Sequence, residues 1–439
     1  VCGIIDRAEP SMQMMRTTEG AQPGQDIPDL RLFVFALFFI FGGITSLNDV
    51  LIPKLKELFT LSYVEVMTVQ FAFFAAYFIV SIPAAAIVKR VGYMRAAVIG
   101  LLTMMTGCLL FIPASLSAVF AMFLLALFVL ASGITVIQVV TNPLISILGT
   151  PETAHSRLTF AQAFNSLGTT VFPYVGSILI LGSLAKVDAA GLTGPALDAF
   201  RRDETQMVIR TYLGLAAALG VLAALVWSRR KRLAETISTN ADIWKAFNLL
   251  KRARFAFGAA CIFLYVGAEV SIGSIIVNYL MQTNVLGLAA ESAGKHVPFY
   301  WGGALVGRFI GAFVLKCVSP GKVLAFNAAM VVLLLLVSAN SMGALSGWSL
   351  LAIGLFNSIM FPTIFALASE GLGPRTADGS GVICVAIVGG AIVPILTGAA
   401  ADAMGLKGAL VIPAICYLGI LLFGLYARRR IAAEARANA

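Results

Sequence analysis

The sequence predicts an all-α integral membrane protein in which twelve transmembrane helices form two pseudo-symmetric bundles of six. The first observation is composition: 59% of the 439 residues are hydrophobic, 12% are charged, and the mean hydropathy is +0.94. Soluble domains carry roughly 45–50% apolar and about 25% charged residues, so an ordinary soluble enzyme is excluded. The second observation is a series of apolar runs that fills the chain, and the third is a repeat that relates its halves.

The apolar runs are each long enough to cross a bilayer, which takes roughly 20 residues. Because hydrocarbon offers the backbone no hydrogen-bond partners, every run is expected to be helical. The expected spans, numbered 1 to 12, lie near 31–58, 64–88, 96–113, 118–148, 158–183, 207–227, 255–283, 296–318, 321–341, 345–370, 380–402 and 406–427. They divide the chain into an N-terminal segment 1–30, a first bundle 31–227, a linker 228–254, a second bundle 255–427 and a tail 428–439.

The basic residues predict the orientation. If both termini lie on one side, 22 of the 31 Lys and Arg residues fall on that side and eight on the other, while Arg308 lies within a span. Positive charge in short loops marks the cytoplasmic side. We therefore expect a multi-pass protein of the cell (inner) membrane with both termini in the cytoplasm. The net charge of +10 indicates this membrane side and not a nucleic-acid surface.

An internal repeat relates the two halves at an offset of about 220 residues. The segment LGTPETAHS at 148–156 recurs as LGPRTADGS at 372–380, and a pair of prolines in spans 4 and 5 recurs in spans 10 and 11. Six spans repeated in one orientation are typical of transporters whose halves are related by an axis along the membrane normal. Such proteins bind substrate near the midplane, between the halves.

Polar residues inside spans are costly, so the faces that carry them are informative. In spans 1, 4 and 5 they recur at helical spacing on one face. These stripes are Thr45, Asn48 and Asp49; Thr135, Gln138 and Asn142; and Gln162, Asn165 and Thr169. Amides and carboxylates pair donors with acceptors and suit vicinal hydroxyls, so we expect the amides and Asp49 to bind substrate. The alternative is that they only hydrogen-bond between helices.

The second half offers fewer candidates. Glu269 is the only acid deep in span 7, and we expect it to line a cavity and to assist Asp49 in proton coupling. The alternative is that Glu269 pairs with a buried cation. Asn278 belongs to a stripe that faces nearly the opposite way, and both can face one cavity only if the helix is broken.

Two weaker substrate-binding candidates are Asn357 in span 10 and Trp301 in span 8. Trp301 follows Tyr300, and an aromatic face stacks well on the C–H surface of a sugar. The alternative for Trp301 is an interfacial anchor, because it lies near the outer end of its span.

Arg308 lies among small residues spaced for close helix packing, Gly303, Gly307 and Gly311. A cation within a span requires an anion, and Glu370 and Asp378 are the expected partners. We interpret this as a structural or gating ion pair. The alternative is a substrate contact.

Covalent chemistry has no support in the sequence. It contains no P-loop, no dinucleotide-binding fingerprint and no HExxH motif. Its two histidines and six scattered cysteines, none with CxxC spacing, do not form a metal-site pattern. We therefore expect a carrier and not an enzyme, with no cofactor and no metal.

Several motifs carry a resemblance to a known family. They are LNDVLIP at 47–53, the segment 70–84, LASGITVIQVVTNP at 130–143, QAFNSLGTT at 162–170 and YVGAEV at 265–270. With these the chain resembles the major facilitator superfamily, and within it the fucose–galactose–glucose:proton symporters. The motif in span 7 looks like the bacterial glucose/galactose transporter branch.

The resemblance implies twelve helices, alternating access and a hexose bound by Asp49, Gln162 and Asn165. The fucose branch has a glutamate before the Asn-Pro pair of span 4, where this chain has Gln138, an amide that cannot titrate. We therefore expect proton-coupled hexose uptake by a monomer, with Asp49 as the main coupling group. The alternatives are a sodium-coupled or uniport sugar carrier, and, with less support, a non-transporting sugar sensor or a drug exporter.

Overall fold

The structure, a computed structural model, describes residues 28–59, 63–117, 119–176, 195–231, 233 and 244–437. Side chains are described over these ranges except at 28–29, 47–59, 63–70, 173, 176, 195–205, 207–208, 290–291 and 429–437. The α-helices in this part of the chain are α1 Pro28–Phe59, α2 Tyr63–Val91, α3 Tyr93–Ser117, α4 Phe120–Ile147, α5 Ala154–Gly176, α6 Pro195–Ser228, α7 Ala253–Met281, α8 Ala290–Gly294, α9 Val297–Cys317, α10 Pro320–Asn340, α11 Gly343–Asn357, α12 Met360–Ser369, α13 Thr376–Ala386, α14 Gly389–Ala409 and α15 Val411–Ala437.

These helices follow the expected spans. Ten described stretches are long and apolar enough to cross a membrane, and α1 and α5 occupy the two remaining predicted spans. Spans 10 and 11 are each built from two helices, α11 with α12 and α13 with α14. The predicted fold class, twelve spans in two bundles, is confirmed.

Span 10 is interrupted at Ser358 and Ile359, between α11 and α12. The last carbonyl groups of a helix have no partner in that helix, so an interruption inside a bundle requires other donors. Span 7 shows the opposite behaviour, because α7 runs without a break through Gly267 and Gly273. The break that would let Glu269 and Asn278 face one cavity is therefore absent.

The N half, α1–α6, and the C half, α7–α15, each pack around their own helices. In the N half α4 packs on α2 and α3, and α1 packs on α5; in the C half α7 packs on α12, α14 and α15. Glycine permits the closest approaches: a Cβ at Gly168 of α5 would overlap the Phe39 carbonyl of α1, and a Cβ at Gly354 of α11 would overlap the Tyr300 carbonyl of α9.

The halves meet along two seams. In one seam α5 of the N half packs on α9 and α12, and in the other α2 and α4 pack on α13. Hydrogen bonds across the seams include those from Ser156 to the Ala312 carbonyl (2.6 Å) and from Ser380 to the Val139 carbonyl (2.9 Å).

Helices α2, α4, α9 and α12 all terminate on one side of the bundle. We call this side the linker end, because α6, which precedes the linker, also terminates there.

Candidate functional site

Three amides of the N half, Gln138, Asn142 and Gln162, lie together on α4 and α5, and all three are buried. The Tyr77 hydroxyl of α2 donates to Gln138 Oε1 (2.9 Å), and the Gln162 side-chain amide donates to Asn142 Oδ1 (3.3 Å). The Asn142 Nδ2 atom is buried and has no hydrogen-bond partner among the described residues. We call Tyr77, Gln138, Asn142 and Gln162 the amide cluster; its described atoms are donors and acceptors that do not ionise near neutral pH.

Helix α1 is fixed against this cluster through α5. The half-buried Asn165 donates from Nδ2 to the Phe38 carbonyl of α1 (3.4 Å), and a Cβ at Gly42 would overlap Asn165. The predicted site residues Asn48 and Asp49 lie on α1, but their side chains are outside the described residues. Their predicted role is therefore not tested by the structure.

A second group of polar residues lies in the C half around Glu269. The Tyr265 hydroxyl lies 2.7 Å from Glu269 Oε1 and 3.1 Å from the carbonyl oxygen of Asn357. The Asn357 side chain donates to the Tyr300 hydroxyl (2.8 Å), and its Oδ1 atom has no hydrogen-bond partner among the described residues. We call Tyr265, Glu269, Tyr300 and Asn357 the carboxyl cluster. Unlike the amide cluster, it contains a group that can take up a proton.

Arg308 of α9 connects the two clusters. Its Nε atom donates to the Ser358 carbonyl in the break of span 10 (3.1 Å), and its Nη1 atom donates to the Gln162 carbonyl (3.2 Å) and to the Ser166 hydroxyl across the seam. Arg308 is also close enough to Glu269 for the two charges to interact. One guanidinium thus contacts the backbone of Gln162 in the amide cluster and of Ser358, the residue that follows Asn357 of the carboxyl cluster.

The expected ion pair of Arg308 with Glu370 or Asp378 is wrong. Both acids lie at the linker end, whereas Arg308 lies nine residues before the end of α9, a rise of about 14 Å along the helix. Asp378 pairs with Lys89 (3.1 Å) and Arg375 (3.4 Å), and Glu370 pairs with His155 (2.8 Å) and Arg254. Neutral oxygens on both sides of the seam bind Arg308 instead.

The linker end closes through those two acids. Lys89–Asp378 and His155–Glu370 each join the N half to the C half, one on each seam. Burial by itself would raise the pKa of Glu370, but the hydrogen bond from His155 and the charge of Arg254 outweigh it and lower that pKa below its ordinary value. Glu370 is therefore an anion at neutral pH, and it contacts His155 of the N half and Arg254 of the C half.

Several other predicted site residues are not brought together. Asn278 is exposed and nine residues from Glu269, which places it on the opposite side of α7. Trp301 is 42% exposed, whereas the adjacent Tyr300 is buried in the carboxyl cluster. The threonines of the stripes bond to their own helices, as in the 2.8 Å bond from Thr135 to the Ala131 carbonyl.

The sequence reasoning missed the tyrosines Tyr77 and Tyr265 as site residues, and it missed His155 and Lys89 as inter-half contacts. The internal repeat could have indicated His155 as a contact between the halves. His155 and Asp378 lie in the repeated segments that begin α5 and α13, and each forms an ion pair with the other half. A repeated polar segment at a helix start thus marked both seams.

Comparison with known proteins places this geometry in a family. Residues 33–386 match the family model of the Major Facilitator Superfamily. A glucose/galactose transporter of Brucella abortus biovar 1 (strain 9-941) is 50% identical over 389 residues, which are 89% of this chain and 92% of the relative. An L-fucose-proton symporter of Escherichia coli (strain K12) is 31% identical over 89% of this chain and 91% of its own length.

The fold matches a solved structure over nearly its full length. A major facilitator superfamily transporter, FucP, crystallised in the outward conformation, superimposes with a TM-score of 0.82 at 29% identity, covering 91% of this chain and 98% of the other. The family model and the structural match each cover most of the chain. The chain therefore belongs to the major facilitator superfamily of membrane transporters.

Proposed function

We propose that the protein is a proton-coupled importer that carries a hexose of the glucose, galactose or fucose type by alternating access. The names of its relatives support the sugar and the proton. The observation that carries the proposal is the pair of buried polar clusters on the two sides of one seam. Each leaves an amide atom without a partner, Asn142 Nδ2 in the N half and Asn357 Oδ1 in the C half.

A hexose suits these unpartnered atoms. Buried polar atoms are nearly always hydrogen-bonded, so an exception calls for an explanation such as an absent ligand. A donor on one half and an acceptor on the other would both be satisfied by one ring carrying several hydroxyl groups. A bound sugar would then join the halves and favour closure around itself.

The conformation fits the outward-facing step of this cycle. We infer that the linker end is the cytoplasmic end, since the basic segment 228–254 adjoins it, and that both termini share that side. The two seams are joined by ion pairs there, so these pairs must separate before the sugar can leave inward. The proposed domains are the bundles 31–227 and 255–427, which rock about the bound sugar as a monomer in the inner membrane.

In a proton-coupled carrier, carboxyl groups within the spans would bind the transported proton. A carboxylate inside hydrocarbon is costly, and a proton removes that cost before the closed site crosses the membrane. We propose Asp49 as the coupling group with Glu269 assisting, and Asn48, Gln138, Gln162 and Asn165 as further sugar contacts. Arg308 and Glu370 act in gating, and Asn278 and Trp301 remain the weakest candidates.

Gln138 favours a second candidate, a sugar carrier that is uniport or sodium-coupled. The fucose branch has a carboxylate at this place, but here an amide accepts the Tyr77 hydroxyl. With one titratable group fewer, coupling to protons depends on Asp49 and Glu269.

Counterflow in proteoliposomes tests the proposal. Protein loaded with unlabelled glucose, galactose or fucose should take up labelled hexose, and an imposed pH gradient should drive accumulation that a protonophore abolishes. Persistence with the protonophore and dependence on sodium would replace the proton by sodium. Binding without flux of any of these sugars would exclude a carrier and favour a sensor.

A further inference from the structure

The Tyr265 hydroxyl lies near two acceptor oxygens but has only one hydrogen to donate. A tyrosine hydroxyl has one hydrogen and donates one bond, while its oxygen accepts others. Two oxygens lie within bonding distance of this hydroxyl, Glu269 Oε1 at 2.7 Å and the Asn357 carbonyl at 3.1 Å. A carboxylate and a carbonyl are both acceptors only, and one hydroxyl hydrogen cannot form a well-aligned, strong bond to both.

The two contacts are satisfied together when Glu269 carries a proton. The carboxylic acid then donates to the Tyr265 oxygen, and Tyr265 donates its own hydrogen to the Asn357 carbonyl. That carbonyl is the last of α11 and belongs to the break in span 10, where the helix supplies no donor of its own. Protonated Glu269 thereby secures one side of the break.

Loss of the proton from Glu269 reverses the direction of the hydrogen bond between Tyr265 and Glu269. A carboxylate attracts the hydroxyl hydrogen more strongly than a neutral carbonyl does, because charge-assisted hydrogen bonds are the stronger ones. Tyr265 then turns its hydrogen toward Glu269, and the Asn357 carbonyl loses its donor. The neighbouring Ser358 carbonyl is held by Arg308, which also holds the Gln162 carbonyl of α5.

We propose that Tyr265 is a positioning residue that relays the protonation of Glu269 to the break in span 10, and through Ser358 and Arg308 to the α5–α9 seam. The inference rests on the proposed function, and it adds the route by which the proton reaches the seam. The proposed hydrogen bonds require Glu269 to be the neutral acid, which suits a carrier that has taken a proton from outside. Deprotonation would loosen the break and release Arg308 from α5.

The groups that face Glu269 are few among the described residues. Tyr265 lies one turn before it on α7, Arg308 and Tyr300 approach from α9, and Tyr417 approaches from α15. Arg308 is the one permanent charge in this set. It would attract a deprotonated Glu269, so a released Arg308 has an anion to move toward.

The variant Tyr265→Phe tests the relay because it removes the hydroxyl and keeps the ring. We expect hexose counterflow to persist, and we expect its rate no longer to change when the pH is varied equally on both sides of the membrane. We also expect that a pH gradient no longer drives accumulation of hexose. The matched control is Tyr279→Phe, also buried on α7, whose hydroxyl contacts the carbonyl of Ser338 and the hydroxyl of Ser346. It should keep both the pH dependence and the accumulation.

A vibrational measurement covers the case in which Tyr265→Phe loses all transport. Infrared difference spectra at neutral pH should show a carboxylic-acid C=O band that is absent in Glu269→Gln, shifted in Tyr265→Phe and unmoved in Tyr279→Phe. A wild-type protein without this band, or the same band position in Tyr265→Phe, would overturn the relay. So would a Tyr265→Phe protein that accumulates hexose like wild type.

These outcomes are distinct from failure of the proposed function. If wild-type protein shows no hexose counterflow, the sugar assignment fails while the infrared test still decides the hydrogen-bond order around Glu269. If wild-type protein accumulates hexose with a proton gradient and Tyr265→Phe does so equally, the function stands and the relay fails.

Discussion

The amide cluster of the N half and the carboxyl cluster of the C half lie on opposite sides of one seam but differ in chemistry. Among the described residues the amide cluster has one tyrosine and three amides, none of which changes charge near neutral pH, whereas the carboxyl cluster contains Glu269 with Arg308 in electrostatic range. In the proposed scheme the amide cluster binds sugar, and the carboxyl cluster adds a group that can take up a proton.

The difference also explains why Arg308 needs no carboxylate. In the C half its Nε atom binds the Ser358 carbonyl, and in the N half its Nη1 atom binds the Gln162 carbonyl and the Ser166 hydroxyl. A cation held by neutral oxygens is less firmly fixed than one in a buried ion pair, since Coulomb attraction is strong in a low dielectric. Arg308 is therefore held in a way that a nearby anion can alter.

Asp49 provides the strongest test of this difference between the two halves, because a functional Asp49 would place an ionisable group in the N half too. We expect Asp49→Asn to abolish hexose accumulation and to leave residual exchange, since a coupled proton adds about 2.3 kcal/mol per 100 mV and the amide carries none. Uptake under an imposed gradient, compared with counterflow, measures this. If the variant still concentrates hexose, coupling belongs to the C half alone. Ser46→Ala is the control for packing on α1, because the Ser46 hydroxyl donates to the Gly43 carbonyl of its own helix (3.0 Å).

Arg308→Gln tests the link between the clusters. It removes charge-assisted hydrogen bonds on both sides of the seam, each worth about 1.5–3 kcal/mol, so we expect the initial uptake rate to fall on the order of 100-fold. Arg308→Lys keeps the charge but loses the planar fork and should recover only part of the rate. Wild-type uptake by Arg308→Gln would mean that the seam does not depend on this residue.

Gln162→Met tests recognition by the amide cluster without altering charge. It keeps the length of the side chain and removes the amide, so we expect the affinity for hexose to fall about tenfold, equivalent to one hydrogen bond of about 1.4 kcal/mol. Proton-driven accumulation at saturating sugar should remain. Asn327→Leu on α10, whose amide donates to the Val323 carbonyl of its own helix, is the matched control. Unchanged affinity in Gln162→Met would remove the amide cluster from sugar recognition.

The fold could be predicted from sequence because hydrocarbon leaves a spanning chain few choices. Apolar length fixes the spans, and helical spacing brought Gln138, Asn142 and Gln162 to one side. The break at Ser358 was not predicted, because span 10 as a whole is apolar enough to form one continuous span and the donors that stabilise the break come from distant helices. The partner of Arg308 was wrong for a related reason: sequence shows which acids exist but not their depth, and carbonyl oxygens carry no sequence signal.

The smallest expected effect lies at the linker end, where both halves contribute ion pairs that are partly exposed. The pKa of Glu370 is lowered in the closed state, so its contribution to closure is present above its ordinary value of 4.5 and is lost as the pH falls through the lowered value. Since a pair of this exposure is worth about 0.2–1 kcal/mol, we expect Glu370→Gln to shift the balance toward inward opening by no more than about fivefold at neutral pH.

The reaction of Cys317 with a thiol reagent measures the balance between the closed and inward-open states. Cys317 is suitable because it is exposed at the end of α9, at the linker end. Glu152→Gln, an exposed glutamate at the same end, should leave the accessibility unchanged. Acidification should open wild-type protein further but have little additional effect on Glu370→Gln. An equal acid response in both would show that Glu370 does not set the pH sensitivity of closure.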